Sequence, residues 1–144
     1  SPAYIAAHGA PAHPLDLAGH ECLLIRFGDQ IGHEWGFRVA GEDIKVMARG
    51  RRIANDGALV RRWCLEGKGI AYKSIRDVRR DLAEGHLVEL LAEYARPGGS
   101  GLHIVYPSAH AQPRRVRLLI ERIAEYFRTE EALPAEGGET DRGT

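Results

Sequence analysis

The centre of the chain carries the sequence NDGALVRRWCLEGKGIAYKS, residues 55–74. Its first residues predict a helix start, because the side chain of Asn55 or Asp56 can accept a hydrogen bond from the orphan amides of a first helical turn. The apolar residues that follow share one helix face: Leu59, Val60, Trp63 and Cys64. Gly67 then favours the left-handed conformation in which helices end.

A short strand and a second helix are predicted directly after Gly67. The run Gly69-Ile70-Ala71-Tyr72 is short and apolar, as in the strands of a parallel sheet. Ser74 followed by Asp77 is typical of a capping box that opens a helix ending near Gly85. A unit of this kind brings a helix N-terminus to one edge of a sheet, where an anion or a carbonyl group can be held.

The flanking segments extend this alternation of strands and helices. Pro14–Leu17 predicts a helical turn, the apolar run Cys22–Ile25 predicts a strand covered on both faces, and residues 35–39 and 44–48 predict a hairpin with a polar turn at 40–43. Further strands are predicted at residues 52–54, 87–91 and 102–106. A last helix should start near Pro113 and carry an apolar stripe of Val116, Ile120, Ile123 and Phe127. The pattern predicts an α/β fold.

The composition narrows the class of protein. At 144 residues with 44% hydrophobic content, the chain can form one domain with a real core. Lys plus Arg equals Asp plus Glu at 20 each, so no net basic field attracts DNA. No apolar run approaches the roughly 20 residues of a membrane span, and no signal peptide is visible, so a cytoplasmic location is expected. Cys22 and Cys64 lie in apolar surroundings that favour free thiols over a disulfide.

The sequence contains no recognisable catalytic or metal site. There is no HExxH motif, no cysteine pair at metal spacing and no Gly-x-Ser-x-Gly motif. Ser74 beside Lys73 is better explained as a helix cap than as a nucleophile. Gly67-x-Gly69 follows a helix and precedes a strand, which is the reverse of a dinucleotide loop. No enzyme activity, metal or cofactor is therefore expected.

Short motifs occur in a fixed order along most of the chain. They are Ser1-Pro2-Ala3-Tyr4-Ile5, Gly9-Ala10-Pro11, the run from His13 to Leu23, Trp35-Gly36-Phe37, the Asn55 helix, Gly69-Ile70-Ala71, Asp81-Leu82, Gly85-His86-Leu87-Val88 and Val105-Tyr106-Pro107-Ser108. Each motif is weak alone, but their order and spacing over residues 1–127 make a specific match. Together they resemble the effector-binding domain of LysR-type transcriptional regulators.

The resemblance implies a fold like that of periplasmic binding proteins, with a ligand between two subdomains. It implies a crossover segment at residues 1–12, the second subdomain at 13–91, and a returning strand and helix of the first subdomain at 92–128. A disordered tail is expected at 129–144, which is acidic, Gly-rich and without pattern. Because the chain starts at Ser1 without Met, we expect a fragment whose winged helix-turn-helix and remaining first subdomain would lie upstream.

The resemblance also implies the residues that hold an effector. Ser1 stands at the start of the crossover, Arg26 and Phe27 at the end of the first strand of subdomain two, and Asn55-Asp56-Gly57 at the helix start. A hydroxyl, an amide side chain and helix amides suit a carboxylate or another anion, which Arg26 could neutralise. Asp56 would oppose that anion unless it turns away as a cap.

The implied function is sensing of a small, anionic effector, with DNA bound only through a domain missing from this chain. The family's effector domains pair through helices, so a homo-oligomer is expected in which residues 102–127 supply much of the interface. A periplasmic-type solute-binding protein fragment is the alternative, and upstream sequence would separate the two. An enzyme of the same general fold would need an acid–base pair that the sequence does not offer.

Overall fold

The computed structural model describes residues 1–96 and 114–132, with side chains as far as Phe127. The chain divides into two compact units, Ser1–Ser100 and Gly101–Thr144. In the described part of the first unit the α-helices are α1 (Pro2–His8), α2 (Gly57–Leu65) and α3 (Ile75–Ala83), with short 3-10 helices at Pro14–Gly19 and Ala92–Tyr94. Its strands are β1 (Cys22–Phe27), β2 (Gln30–Ile31), β3 (Glu34–Val39), β4 (Glu42–Met47), β5 (Arg52–Ala54) and β6 (Ile70–Ala71).

Strand β1 is the centre of the main sheet. On one side it pairs in parallel with β5, where Leu24 lies opposite Ile53. On the other side it pairs in parallel with β6 and, further along, antiparallel with β2. Because β1, β5 and β6 run in the same direction, the residues that follow them meet at one edge of the sheet. We call this the carboxyl edge (residues 26–29, 55–57 and 72–74) and the opposite one the amino edge (residues 20–22, 49–52 and 67–70).

The two faces of β1 carry separate cores because successive side chains of a strand point to opposite faces. Cys22 and Leu24 pack with the β3–β4 hairpin, the 3-10 segment at residues 14–19 and Leu91. Leu23 packs on the other face with Ala54 and Val60 of α2. All-round burial of β1 explains why its sequence is a continuous apolar run rather than an alternating one.

The hairpin predicted at residues 35–48 is present, with a tight turn. Strands β3 and β4 pair from Glu34 opposite Met47 to Val39 opposite Glu42. Only Ala40 and Gly41 remain in the turn, and both have positive φ, 49° and 87°. Two central residues of positive φ match the twist of the paired strands, which is why short hairpin loops favour this conformation.

Helix α3 is fixed to α2 by an ion pair between the buried Asp81 and the partly exposed Arg61. Asp81 is 3% exposed and accepts hydrogen bonds from the Arg61 guanidinium, one of them 2.6 Å long. The hydrogen bond to Asp81 raises the pKa of Arg61. A carboxylate buried this deeply requires such a partner, so the pair locks the two helices together.

Three sequence predictions for this unit need correction. Residues 87–91 do not form a strand: Leu87 and Leu91 are buried, but the segment is irregular, and within residues 1–96 and 114–132 no strand pairs with it. The first twelve residues contain α1, which the sequence analysis did not predict. Ser74 does precede α3, but its side chain makes no capping hydrogen bond, and Asp77 instead pairs with Lys73.

The described part of the second unit is helix α4, Arg114–Ala132. It begins where the sequence predicts a helix but continues past Thr129, where the tail was expected to begin. The strand predicted at residues 102–106 lies outside the described residues. No helix in the described ranges is long and apolar enough to cross a membrane.

Candidate functional site

Arg26, near the end of β1, and Asn55, directly after β5, lie at the carboxyl edge. Ile25 and Ala54 are paired residues of the parallel strands β1 and β5, so the residues after them emerge side by side. Both Arg26 and Asn55 are exposed to solvent. By strand alternation Arg26 falls on the hairpin side of β1, whereas α2 lies on the other side.

The first turn of α2 also lies at the carboxyl edge, and Asp56 caps it. The Asp56 carboxylate accepts a hydrogen bond of 2.8 Å from the amide of Ala58. Its charge is therefore turned onto the helix, as a cap requires, and stabilises the first turn. Asp56 thereby occupies the Ala58 amide that an external anion would otherwise reach.

Lys73 joins this group from the end of β6. Its ammonium donates to the carbonyl of Gly57 over 3.3 Å and lies 2.7 Å from the carboxylate of Asp77. The Lys73 side chain is only 13% exposed, so the charge is held in a defined place against α2. This residue was missing from the predicted site.

Phe27 adds an apolar surface beside these polar groups. Its side chain is 67% exposed, which is unusual for an aromatic residue next to a core strand. The adjacent segment 29–34 lines a shallow concavity next to the end of β1. Asn55 is not among the residues that line that concavity.

Ser1 lies elsewhere in the fold. Its hydroxyl accepts from the amide of Tyr4 at the start of α1 and faces Gly67, just beyond the C-terminal end of α2. Helix α2 has nine residues, so its two ends are about 13 Å apart. The structure therefore brings together Arg26, Phe27, Asn55, Asp56 and Gly57 at one edge, and leaves Ser1 at the other.

The described residues offer no obvious catalytic chemistry. Burial raises the pKa of the Cys22 and Cys64 thiols, which disfavours the nucleophilic thiolate form. Both cysteines are free. No group of three or more metal-ligating side chains occurs in residues 1–96 or 114–132. What the carboxyl edge does offer is two cationic side chains, an amide and an exposed ring, which suits binding of a small anion.

The sequence contained a signal for Lys73 that the analysis did not use. A parallel strand was predicted at residues 69–72, and ligand-binding residues of open α/β sheets follow the carboxyl ends of such strands. The same rule that selects Asn55 after β5 selects Lys73 after β6. The capping pattern of Ser74 and Asp77 predicted only a helix start at this position.

Comparisons with known protein families and with curated proteins point to the same kind of protein. The family model for the LysR substrate binding domain matches residues 1–128. The chain is 39% identical over 127 residues to the HTH-type transcriptional regulator DmlR of Escherichia coli. That alignment covers 88% of this chain and 41% of DmlR. The chain is 34% identical over 125 residues to the HTH-type transcriptional regulator CrgA of Neisseria meningitidis, covering 87% of this chain and 41% of that protein.

Solved structures agree with the sequence comparison. The CrgA regulatory domain from N. meningitidis has a TM-score of 0.69 at 34% identity, covering 87% of this chain and 61% of that one. The regulatory domain of AphB in Vibrio vulnificus has a TM-score of 0.64 at 28% identity, covering 88% and 61%. The chain thus spans about two-fifths of the length of the curated relatives. With its periplasmic-binding-protein-like α/β fold, it belongs to the LysR substrate-binding domain family.

Proposed function

We propose that this chain is the effector-sensing part of a LysR-type transcriptional regulator, with a small anionic effector held at the carboxyl edge. The observation that carries the proposal is the placement of Arg26 near the end of β1, Asn55 directly after β5 and Lys73 just beyond β6, at the carboxyl ends of three neighbouring parallel strands. In open α/β sheets, ligands bind outside the carboxyl ends of the strands. The relatives named above are DNA-binding regulators, which favours this function over a solute-binding protein.

An anion lying across the edge would contact both sides of the sheet. Arg26 would reach it from the hairpin side, and Lys73 with the start of α2 from the other. Asp56 faces Ala58 and adds a negative charge nearby, so the two cations are needed to make the site attractive to an anion. Phe27 would cover an apolar part of the effector.

The proposed domain boundaries need one adjustment. Tyr94 packs on the core of the first unit, and Arg96 pairs with Asp43 of the hairpin. We therefore place the return to a first subdomain after Arg96, later than residue 92. The second subdomain, predicted at 13–91, is then proposed to extend to residue 96, preceded by a crossover at 1–12.

A thermal-shift experiment on the 144-residue chain tests the site. A ligand that binds the folded state alone raises the unfolding temperature with its concentration. Small carboxylates should do so, and their neutral amides should not. The substitutions Arg26→Gln and Lys73→Gln should each reduce the shift, whereas Arg62→Gln in the last turn of α2 should not. Equal shifts in all three variants would overturn the placement of the site.

Transcriptional control itself is proposed to require DNA-binding residues outside this chain. The chain carries equal numbers of basic and acidic residues, and the sequence shows no recognition-helix pattern. In a gel shift at low salt with the operator of the parent regulator, it should give no complex that survives competitor DNA. A surviving, sequence-specific complex would contradict the assignment.

A homo-oligomer is proposed through the second unit. Helix α4 exposes large apolar side chains, among them Leu118 at 52% and Leu119 at 59%. Ile120, Ile123 and Phe127 are partly covered within the chain and form the stripe predicted from the sequence. Combining Ile120→Glu with Phe127→Glu should release monomers in light scattering. A wild-type chain that stays monomeric at high concentration would contradict this interface.

A further inference from the structure

We propose that Asp77 is an internal counter-ion that competes with the effector for Lys73. The inference rests on the proposed function, because it concerns how the carboxyl edge is occupied before an effector arrives. Asp77 thereby weakens effector binding. Without effector, its carboxylate pairs with Lys73 in the position that a carboxylate of the ligand would occupy.

The geometry of Lys73 supports this role. Its ammonium lies 2.7 Å from Asp77 and donates to the Gly57 carbonyl over 3.3 Å, at the first turn of α2. A Cβ atom built on Gly57 would lie 3.0 Å from the same ammonium, so the group is pressed against the helix start.

The two partners differ in how firmly they are held. The Lys73 side chain is 13% exposed, whereas the Asp77 side chain is 55% exposed. A mostly buried cation requires a negative partner at all times. A half-exposed carboxylate can exchange that partner for water at little cost, because ion pairs at the surface are weak. Asp77 is therefore the partner that an incoming carboxylate displaces, while Lys73 stays in place.

Displacement of Asp77 from Lys73 also changes how the first turn of α3 is held. Asp77 lies in the first turn of this helix, where a carboxylate is favoured by the helix dipole, and its pairing with Lys73 links that turn to α2. Further along α3, Asp81 is locked to Arg61 of α2. An effector would thus free one end of α3 while the Arg61–Asp81 pair keeps the helix on its neighbour.

The test is a binding measurement by amide chemical-shift titration, with succinate as the probe and ionic strength held constant. The substitution Asp77→Asn keeps the side-chain shape and removes the competing charge. It should tighten succinate binding about twofold to fivefold, as expected for loss of one weak surface pair. Asp77→Ser provides a second variant with the same expected direction. Glu84→Gln, which removes the same charge at the C-terminal end of α3, is the matched control and should leave the affinity unchanged.

A double-mutant cycle separates competition from general charge removal. In the background of Lys73→Gln, the change Asp77→Asn should no longer tighten binding. Equal tightening with and without Lys73 would overturn the inference, as would equal affinity of wild type and Asp77→Asn. In either case, perturbed amides at Arg26 and Asn55 would leave the proposed function standing. Absence of any perturbation by millimolar succinate in all variants would overturn both.

Discussion

The amino edge of the sheet is closed by hydrogen bonds and tight backbone contacts, whereas the carboxyl edge is open. At the amino edge the amide of Cys22 donates to Arg49, the amide of Ile70 donates to Glu21, and the Glu21 carboxylate accepts from the amide of Arg51. At the carboxyl edge the exposed residues include Arg26, Phe27, Asn55 and Asp56. One edge holds the strands in register and the other presents side chains.

This difference explains why the same sheet can be both stable and able to bind. Backbone groups at the amino edge have their partners within the fold, so their loss should act on stability. The exposed side chains at the carboxyl edge, such as Arg26, Phe27 and Asn55, contribute little to the core and are available for a ligand. Substitutions at the two edges should therefore affect different measurements, and the following predictions test that separation.

The largest effect is expected for Gly50→Ala at the amino edge. A Cβ atom there would lie 1.8 Å from the carbonyl oxygen of Cys22, which is backbone and cannot rotate away. We expect the free energy of unfolding to fall by about 3 kcal/mol or more, at the upper end of overpacking costs. Urea denaturation measures it. The control is Gly19→Ala, where a Cβ atom would meet nothing within 4 Å; equal losses in both variants would contradict the prediction.

A smaller loss is expected for Tyr4→Phe. Tyr4 is 3% exposed, and its hydroxyl accepts from the amide of Glu21 over 3.1 Å and lies 3.2 Å from His20 Nδ1. Removing it leaves polar groups without a partner, which costs about 1–3 kcal/mol. Thermal or urea unfolding should detect the change. Tyr72→Phe at the carboxyl edge, whose half-exposed hydroxyl donates to the Gly36 carbonyl, should cost less because water replaces the lost contact.

Stability should also fall at alkaline pH through Cys22. Burial raises the pKa of this thiol above its ordinary value of 9.0, so the folded chain keeps the proton after the unfolded chain has lost it. The associated stabilisation is complete below pH 9 and disappears as pH rises through the raised value. Urea unfolding between about pH 8 and pH 10 should show the decline. Cys22→Ala should reduce the slope, and the part that remains is expected from the Cys64 thiol, whose pKa burial also raises; an unchanged slope would exclude Cys22 as a cause.

Much of the main sheet could be predicted because its signals are local. The cap at Asp56, the left-handed Gly67 and the continuous apolar run of β1 each specify an element through their own neighbours. The strand predicted at residues 87–91 is wrong because burial there does not come from strand pairing. Their apolar pattern does reflect burial, but the backbone amides of His86 and Leu87 bond to the Asp81 carbonyl, and no strand in the described part of the chain pairs with residues 87–91.

The candidate site was only partly predictable because it depends on contacts distant in sequence. Arg26 and Asn55 share an edge because two strands pair in parallel, which the pattern indicated. Ser1 was placed through the family resemblance alone, and its contact with Gly67 spans most of the first unit. Lys73 follows a predicted parallel strand, but its contact with the carbonyl of Gly57 joins residues 16 apart in the sequence, and no local pattern indicates that contact.

The smallest effect on stability is expected for Phe27→Ala at the carboxyl edge. The ring is 67% exposed, so its removal creates no cavity and should change the free energy of unfolding by less than about 0.5 kcal/mol. Phe37→Ala is the matched control, because the Phe37 ring is only 6% exposed. Its loss should lower the free energy of unfolding by about 3–5 kcal/mol. Urea denaturation of both variants measures the contrast. If Phe27→Ala destabilises the chain as much as Phe37→Ala, the carboxyl edge belongs to the core, and the separation between a closed and an open edge fails.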